Sequence, residues 1–201
     1  LHIDPSDNST FELGLKSLEM FQNICVELSS YGVDPAFRQS GILKVAQNHN
    51  DAAQIKSDVS VYSKNGLHAD WLTSSEIIEC EPRINPNVLG GFISTQEGVI
   101  NGQLLVDSLV HASSARGADC REGVDVTQLI CDGQRVVGVR TEQEQILAGH
   151  TVLACGPWTG LIDQLQPDIK VPILPIKGQR LLIRKAGLLP HKPVHNCEHY
   201  I

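Results

Sequence analysis

His191, His195, Cys197 and His199 are the side chains in this sequence best suited to zinc or copper, since imidazole and thiolate are the ligands those ions prefer. Their spacing argues against a shared ion. On a strand, positions two apart lie about 6.6 Å from one another and positions four apart about 13 Å, whereas the ligands of one ion sit about 2 Å from it. Only a neighbouring pair could meet one metal, and Pro193 keeps His191 and His195 off a common helix face. No metal site is expected. Hydrolytic chemistry fares no better, because no serine sits in a G-x-S-x-G elbow. Phosphate-cradling loops of the forms G-x-x-x-x-G-K-[ST] and G-x-G-x-x-G are absent, and Lys177-Gly178 has the wrong order for one. The chain therefore contains no self-sufficient grip on a nucleotide.

One stretch remains, T-V-L-A-C-G-P-W-T-G from Thr151 to Gly160. Thr151 to Cys155 reads as a short strand buried on both faces, Gly156 ends it, and Trp158 opens a helix to Leu165. Ligands of open α/β sheets bind at the carboxyl ends of strands, and backbone can approach a flat cofactor where no Cβ intervenes. Two readings stay open on these residues: Gly156 turns the chain and Trp158 packs, or both line a ligand.

The elements that would position this stretch are legible from periodicity. Ser9 to Tyr31 is an expected helix with a Ser9-x-x-Glu12 capping box, an apolar face of Leu18, Phe21, Cys25 and Leu28, and Gly32 as its stop. A strand at Gly41 to Ala46, a polar helix at Asn50 to Ser63, and a short helix after a Thr73-x-x-Glu76 box follow. Leu89 to Ser94 reads as a strand, and Gln103 to Arg116 as an amphipathic helix stopped by Gly117. Val124 to Cys131 and Gln134 to Thr141 form a predicted hairpin about Asp132-Gly133, with both turn positions at positive φ. Gln145 to Ala148 is a brief third run. Beyond prolines 167, 172 and 175, strands are expected at Gly178 to Arg184 and from Val194. The class is mixed α and β, an α+β arrangement.

Composition narrows the partners. With 16 Lys and Arg against 23 Asp and Glu, the net charge is −7 and no basic stripe exists to track nucleic acid. No apolar run approaches the roughly 20 residues of a membrane helix, and Leu1 to Ser9 lacks the features of a signal peptide. A soluble, cytoplasmic protein is the expectation, binding neither nucleic acid nor membrane. The six cysteines show no C-x-x-C pair and are expected to be reduced and mostly buried. The absence of an initiator Met, and an ending at Tyr200-Ile201 that reads as mid-strand, suggest a piece of a longer protein.

The order Glu97-Gly98-Val99-Ile100, helix, Arg116-Gly117-Ala118, Gly123-Val124-Asp125-Val126, Asp132 to Val139, Ala148 to Thr159, and Pro175-Ile176-Lys177-Gly178-Gln179 resembles the flavin-dependent amino-acid oxidase family. Glycine oxidases of thiamine biosynthesis, with D-amino-acid and sarcosine oxidases, look closest. The sharpest matches are A-C-G-P-W-T and P-I-K-G-Q; Asn101-Gly102 departs, standing where many members carry a proline. The resemblance implies a substrate domain with an antiparallel sheet and a glutathione-reductase-type FAD domain. It assigns residues 1–100 and 166–201 to the former and 101–165 to the latter, with the first glycine loop before Leu1 and a later FAD segment after Ile201.

It further implies FAD as hydride acceptor in oxidation of a small amino acid or amine to an imino acid, which hydrolyses, with hydrogen peroxide as co-product. The cofactor carries the difficult chemistry and the protein orients it, so no catalytic acid or base is carried over. Val124 matches a backbone contact to adenine, and Cys155, Gly156 and Trp158 match the strand end along the cofactor. Tyr200 matches a tyrosine that holds the substrate carboxylate, for which a phenol donor is suitable; cross-strand packing is its other reading. The isolated chain is expected neither to retain FAD nor to turn over, and the full-length protein could form homo-oligomers. Alternatives are a sarcosine oxidase, a glycerol-phosphate dehydrogenase-like flavoenzyme, or a non-enzymatic binding domain.

Overall fold

Local signals account for most elements of the computed structural model, which describes residues 8–161, 171–173, 175–178 and 190–197. At Thr73 the predicted capping box is complete. The Thr73 hydroxyl accepts from the Glu76 backbone N–H at 3.4 Å, and the Glu76 carboxylate accepts from the Thr73 N–H at 2.7 Å, opening helix α3, Ser74–Cys80. These bonds hold the exposed Glu76 carboxyl below its ordinary value, the backbone bond at Thr73 contributing most. Thr73→Ala is expected to cost about 1 kcal/mol. Because the folded pKa is the lower one, the carboxylate's share of the cap is fully present above about pH 4.3 and fades as pH falls through the depressed folded value. Thermal unfolding of wild type and variant should show a gap near neutrality that narrows toward about pH 3.

Helix α1 runs Asn8–Ser29, α2 His49–Lys64 and α4 Gly102–Ala115. Ser9 is therefore already inside α1, which corrects its expected place as a cap, since a cap residue has non-helical backbone. Asn48 caps α2 by accepting from the Asp51 N–H at 2.9 Å, and Asn101 caps α4 in the same manner. Although α2 is polar overall, Ile55 and Tyr62 lie two turns apart on one face and are buried.

Strands β1 (Ile42–Ala46), β2 (Leu72–Thr73), β3 (Gly90–Ser94) and β7 (Val194–His195) form one sheet in the order β2-β3-β1-β7. β1 is antiparallel to β3 and parallel to β7. Alternation along β1 divides the core, as a pleated strand requires. Ala46 joins Phe11, Leu18, Ile55, Tyr62 and Phe92 on one side, while Leu43 and Val45 join Ile77, Val88 and Val194 on the other.

The chain splits into two compact units, Leu1–Cys120 with Lys185–Ile201, and Arg121–Arg184. In the second, β4 (Val126–Asp132), β5 (Arg135–Thr141) and β6 (Gln145–Leu147) form an antiparallel meander. The hairpin lies where expected but its turn is shifted by one residue. Asp132 pairs with Arg135, so Gly133 and Gln134 form the loop. Gly133 has φ +60° and Gln134 is not at positive φ, the pattern of a type II′ rather than a type I′ turn.

Two further expectations are corrected. Residues 151–155 form no strand, and Val152 is 86% exposed. No strand among the described residues pairs with this run, so its backbone has no ladder. Of the six free cysteines, Cys25 alone is buried; Cys80 lies at the end of α3, Cys131 near the end of β4, and Cys120, Cys155 and Cys197 in loops, all of them exposed. The helix expected from Trp158 appears as a 3-10 helix, Gly156–Leu161. Beyond Gly178, the strand expected to Arg184 lies outside the described residues, as do Leu165 and His199.

Candidate functional site

Cys155 to Thr159 is a turn held by its own backbone. Gly156 adopts φ +52°, a left-handed conformation costing other residues about 1–2 kcal/mol. The Trp158 N–H donates to the Cys155 carbonyl at 3.1 Å, and the buried Thr159 hydroxyl donates to the Gly156 carbonyl at 2.8 Å. Thr159 thus anchors the turn from beneath, while Trp158 is left 67% exposed. A Cβ built on Gly156 would meet no atom within 4 Å. Glycine is needed here for its φ, and the space beside it is open.

Thr151 to Gly160 contains no charged residue. Its exposed Val152 and Trp158, bare Gly156 backbone and open flank suit a flat, uncharged ring system. They do not suit a pyrophosphate, which needs cationic side chains or convergent N–H groups. The residues of this turn would suit the ring portions of FAD and offer no charged side chain to its phosphates. The local turn brings Cys155, Gly156 and Trp158 together. Val124 belongs to the same unit, half-buried in the loop before β4. Tyr200 lies outside the described residues.

The histidine and cysteine tail is placed by β7. His195 pairs with Lys44 of β1, and the His191 N–H bonds the Glu81 carboxylate. Among the described residues no group of three His, Cys, Asp or Glu side chains could hold a metal. Burial raises the Cys197 thiol pKa, and Asp51 and Asp58 raise it further; burial and then Asp34 do the same for Cys25. Neither is an activated nucleophile. No helix among the described residues is long and apolar enough to cross a membrane.

Sequence reasoning missed two buried carboxylates, Glu81 and Glu97, both fully removed from solvent. Glu97 accepts a short hydrogen bond from the buried Tyr62 hydroxyl. The usable signal was weak: an Asn50 to Ser63 helix that looked polar but carried one large aromatic at its inward spacing.

A family profile described as FAD dependent oxidoreductase matches residues 2–201. The hydrogen cyanide synthase subunit HcnC of Pseudomonas aeruginosa is 25% identical over 181 residues, covering 89% of this chain and 43% of the relative. The bifunctional protein ThiO/ThiG of Trichormus variabilis is 32% identical over 163 residues, covering 81% of this chain and 24% of the relative. Glycine oxidase from Bacillus cereus superposes with a TM-score of 0.74 at 26% identity, over 77% of this chain and 43% of that one. The chain spans less than half the length of these relatives.

Proposed function

The chain belongs to the FAD dependent oxidoreductase family, and from that premise we propose that it is the central part of an oxidase of glycine or another small amino acid. The observation carrying this reading is the likeness to Bacillus cereus glycine oxidase at a TM-score of 0.74. The similarity to ThiO/ThiG supports a role in thiamine biosynthesis. Bound FAD would supply the two-electron acceptor that amino-acid oxidation requires.

In this reading the chain's own residues bind and orient. The Val124 backbone would hold the adenine, and the Cys155 to Trp158 turn would line the cofactor, its apolar side chains keeping water from it. Tyr200 donates one hydrogen bond to the substrate carboxylate without adding charge. The amino-acid class is tested by peroxide release from the full-length protein with glycine, sarcosine, D-alanine and glycerol 3-phosphate. Turnover of glycerol phosphate alone would overturn it. The isolated 201-residue chain is expected to purify colourless, because its candidate site cannot grip a pyrophosphate. Stoichiometric flavin absorbance in that chain would refute this.

A further inference from the structure

The turn from β5 to β6 is closed by one buried side chain. The Thr141 hydroxyl accepts from the backbone N–H groups of Gln143 and Glu144 at 3.2 and 3.0 Å, and the Thr141 N–H donates to the Glu144 carbonyl at 2.9 Å. Thr141 is 5% exposed, so the backbone that carries the Glu144 carboxylate is fixed locally. What that carboxylate meets is distant in sequence. The Arg121 guanidinium donates to Glu144 Oε1 at 2.5 Å, across 23 positions.

Both side chains of this ion pair are about half exposed, at 44% and 51%. A pair so exposed contributes little to global stability. Its local effect is larger, because the next anchor of the same segment is the pairing of Val126 in β4 with Thr141 in β5. Residues 121–126 are therefore tied at both ends to one turn, by the ion pair at Arg121 and by strand pairing at Val126. Val124 lies between the two ties, directly after Gly123 at φ +67°. A short segment closed at both ends has few conformations to lose, and backbone already ordered binds a flat heterocycle without the cost of ordering it.

We propose that Arg121 and Glu144 are positioning residues that hold the Val124 backbone ready for an adenine ring. The adenine link rests on the function proposed above; the tie between Arg121 and Glu144 does not. Full-length apoprotein is titrated with ADP, which carries the adenine, and with FMN, which lacks it. Arg121→Gln and Glu144→Gln are each expected to weaken ADP about three- to five-fold, the size an exposed pair can deliver, with FMN affinity within about 1.5-fold and Tm within about 2 °C. The charge swap Arg121→Glu with Glu144→Arg should restore ADP affinity to within about two-fold of wild type.

The two single variants separate positioning from simple attraction of an anion. Loss of a positive charge and loss of a negative charge would shift ADP affinity in opposite directions if charge alone acted, whereas loss of the tie weakens it in both. Unchanged or tighter ADP binding in Glu144→Gln overturns the proposal. So does a swap that restores nothing, or an equal loss of ADP and FMN. Val124→Pro, which removes the backbone N–H, is expected to weaken ADP at least about ten-fold. If it does so while Glu144→Gln does not, the ion pair alone fails. Unchanged ADP affinity in Val124→Pro, or wild-type apoprotein that takes no ADP, overturns the adenine assignment and the positioning role together.

Discussion

Full-length protein carrying Gly156→Val is expected to bind FAD at least about ten-fold more weakly, a loss of about 1.4 kcal/mol or more. Two effects add. Gly156 sits at φ +52°, and holding a β-branched residue there costs about 1–3 kcal/mol. The new side chain would also project into the space that is open beside the turn, where the proposed ring system lies. Gly156→Ala separates the two effects, since it carries most of the backbone cost with a much smaller intrusion. Trp158→Ala is a third arm. The side chain is 67% exposed in this chain, so its removal should change the isolated chain's stability by less than about 0.5 kcal/mol yet lower cofactor affinity in the full-length protein. Fluorimetric titration of apoprotein with FAD measures all three. Wild-type affinity in Gly156→Val would remove this turn from the cofactor site.

The second large effect concerns stability. Tyr62→Ala is expected to cost about 3–5 kcal/mol, a substantial part of the 5–15 kcal/mol typical of a domain. Tyr62 is fully buried, packs edge-on against Phe11 and Phe92 with ring centroids 5.9 and 5.3 Å away, and donates to the buried Glu97 carboxylate. Lys44 Nζ lies 5.7 Å from its ring and 3.6 Å from Asp58, so charge and aromatic surface share this part of the core. Tyr62→Phe keeps the volume and removes only the hydroxyl. It should cost about 1–3 kcal/mol, because a buried carboxylate loses a donor. Urea unfolding of both variants measures the split between packing and hydrogen bonding. A Tyr62→Phe protein as stable as wild type would show that the hydrogen bond to Glu97 contributes nothing net.

Two details show how near a sequence reading can come and still be corrected by geometry. Asp132-Gly133 correctly announced a hairpin, but pairing of Asp132 with Arg135 moved the loop to Gly133-Gln134 and changed the turn type. Leu153-Ala154-Cys155 read as a buried strand ending at Gly156, yet without a paired neighbour among the described residues that run forms no strand, and Gly156 is a turn residue at φ +52°.

The sequence by itself determined what depends on neighbours within one or two turns of chain. The Thr73 and Glu76 box, the Asn101 cap of α4, the hairpin of the meander and the Gly156 turn all rest on contacts a few residues apart, and β1 and β3 were legible from their apolar runs. The ordered motifs from Glu97 to Gln179 likewise carried the family resemblance. Only the tertiary structure decided which polar groups are buried and what they hold. Tyr62 meets Glu97 across 35 positions and Glu81 meets His191 across 110. A carboxylate that looks solvated in sequence becomes a core group only when distant segments close over it, and no local periodicity encodes that closure.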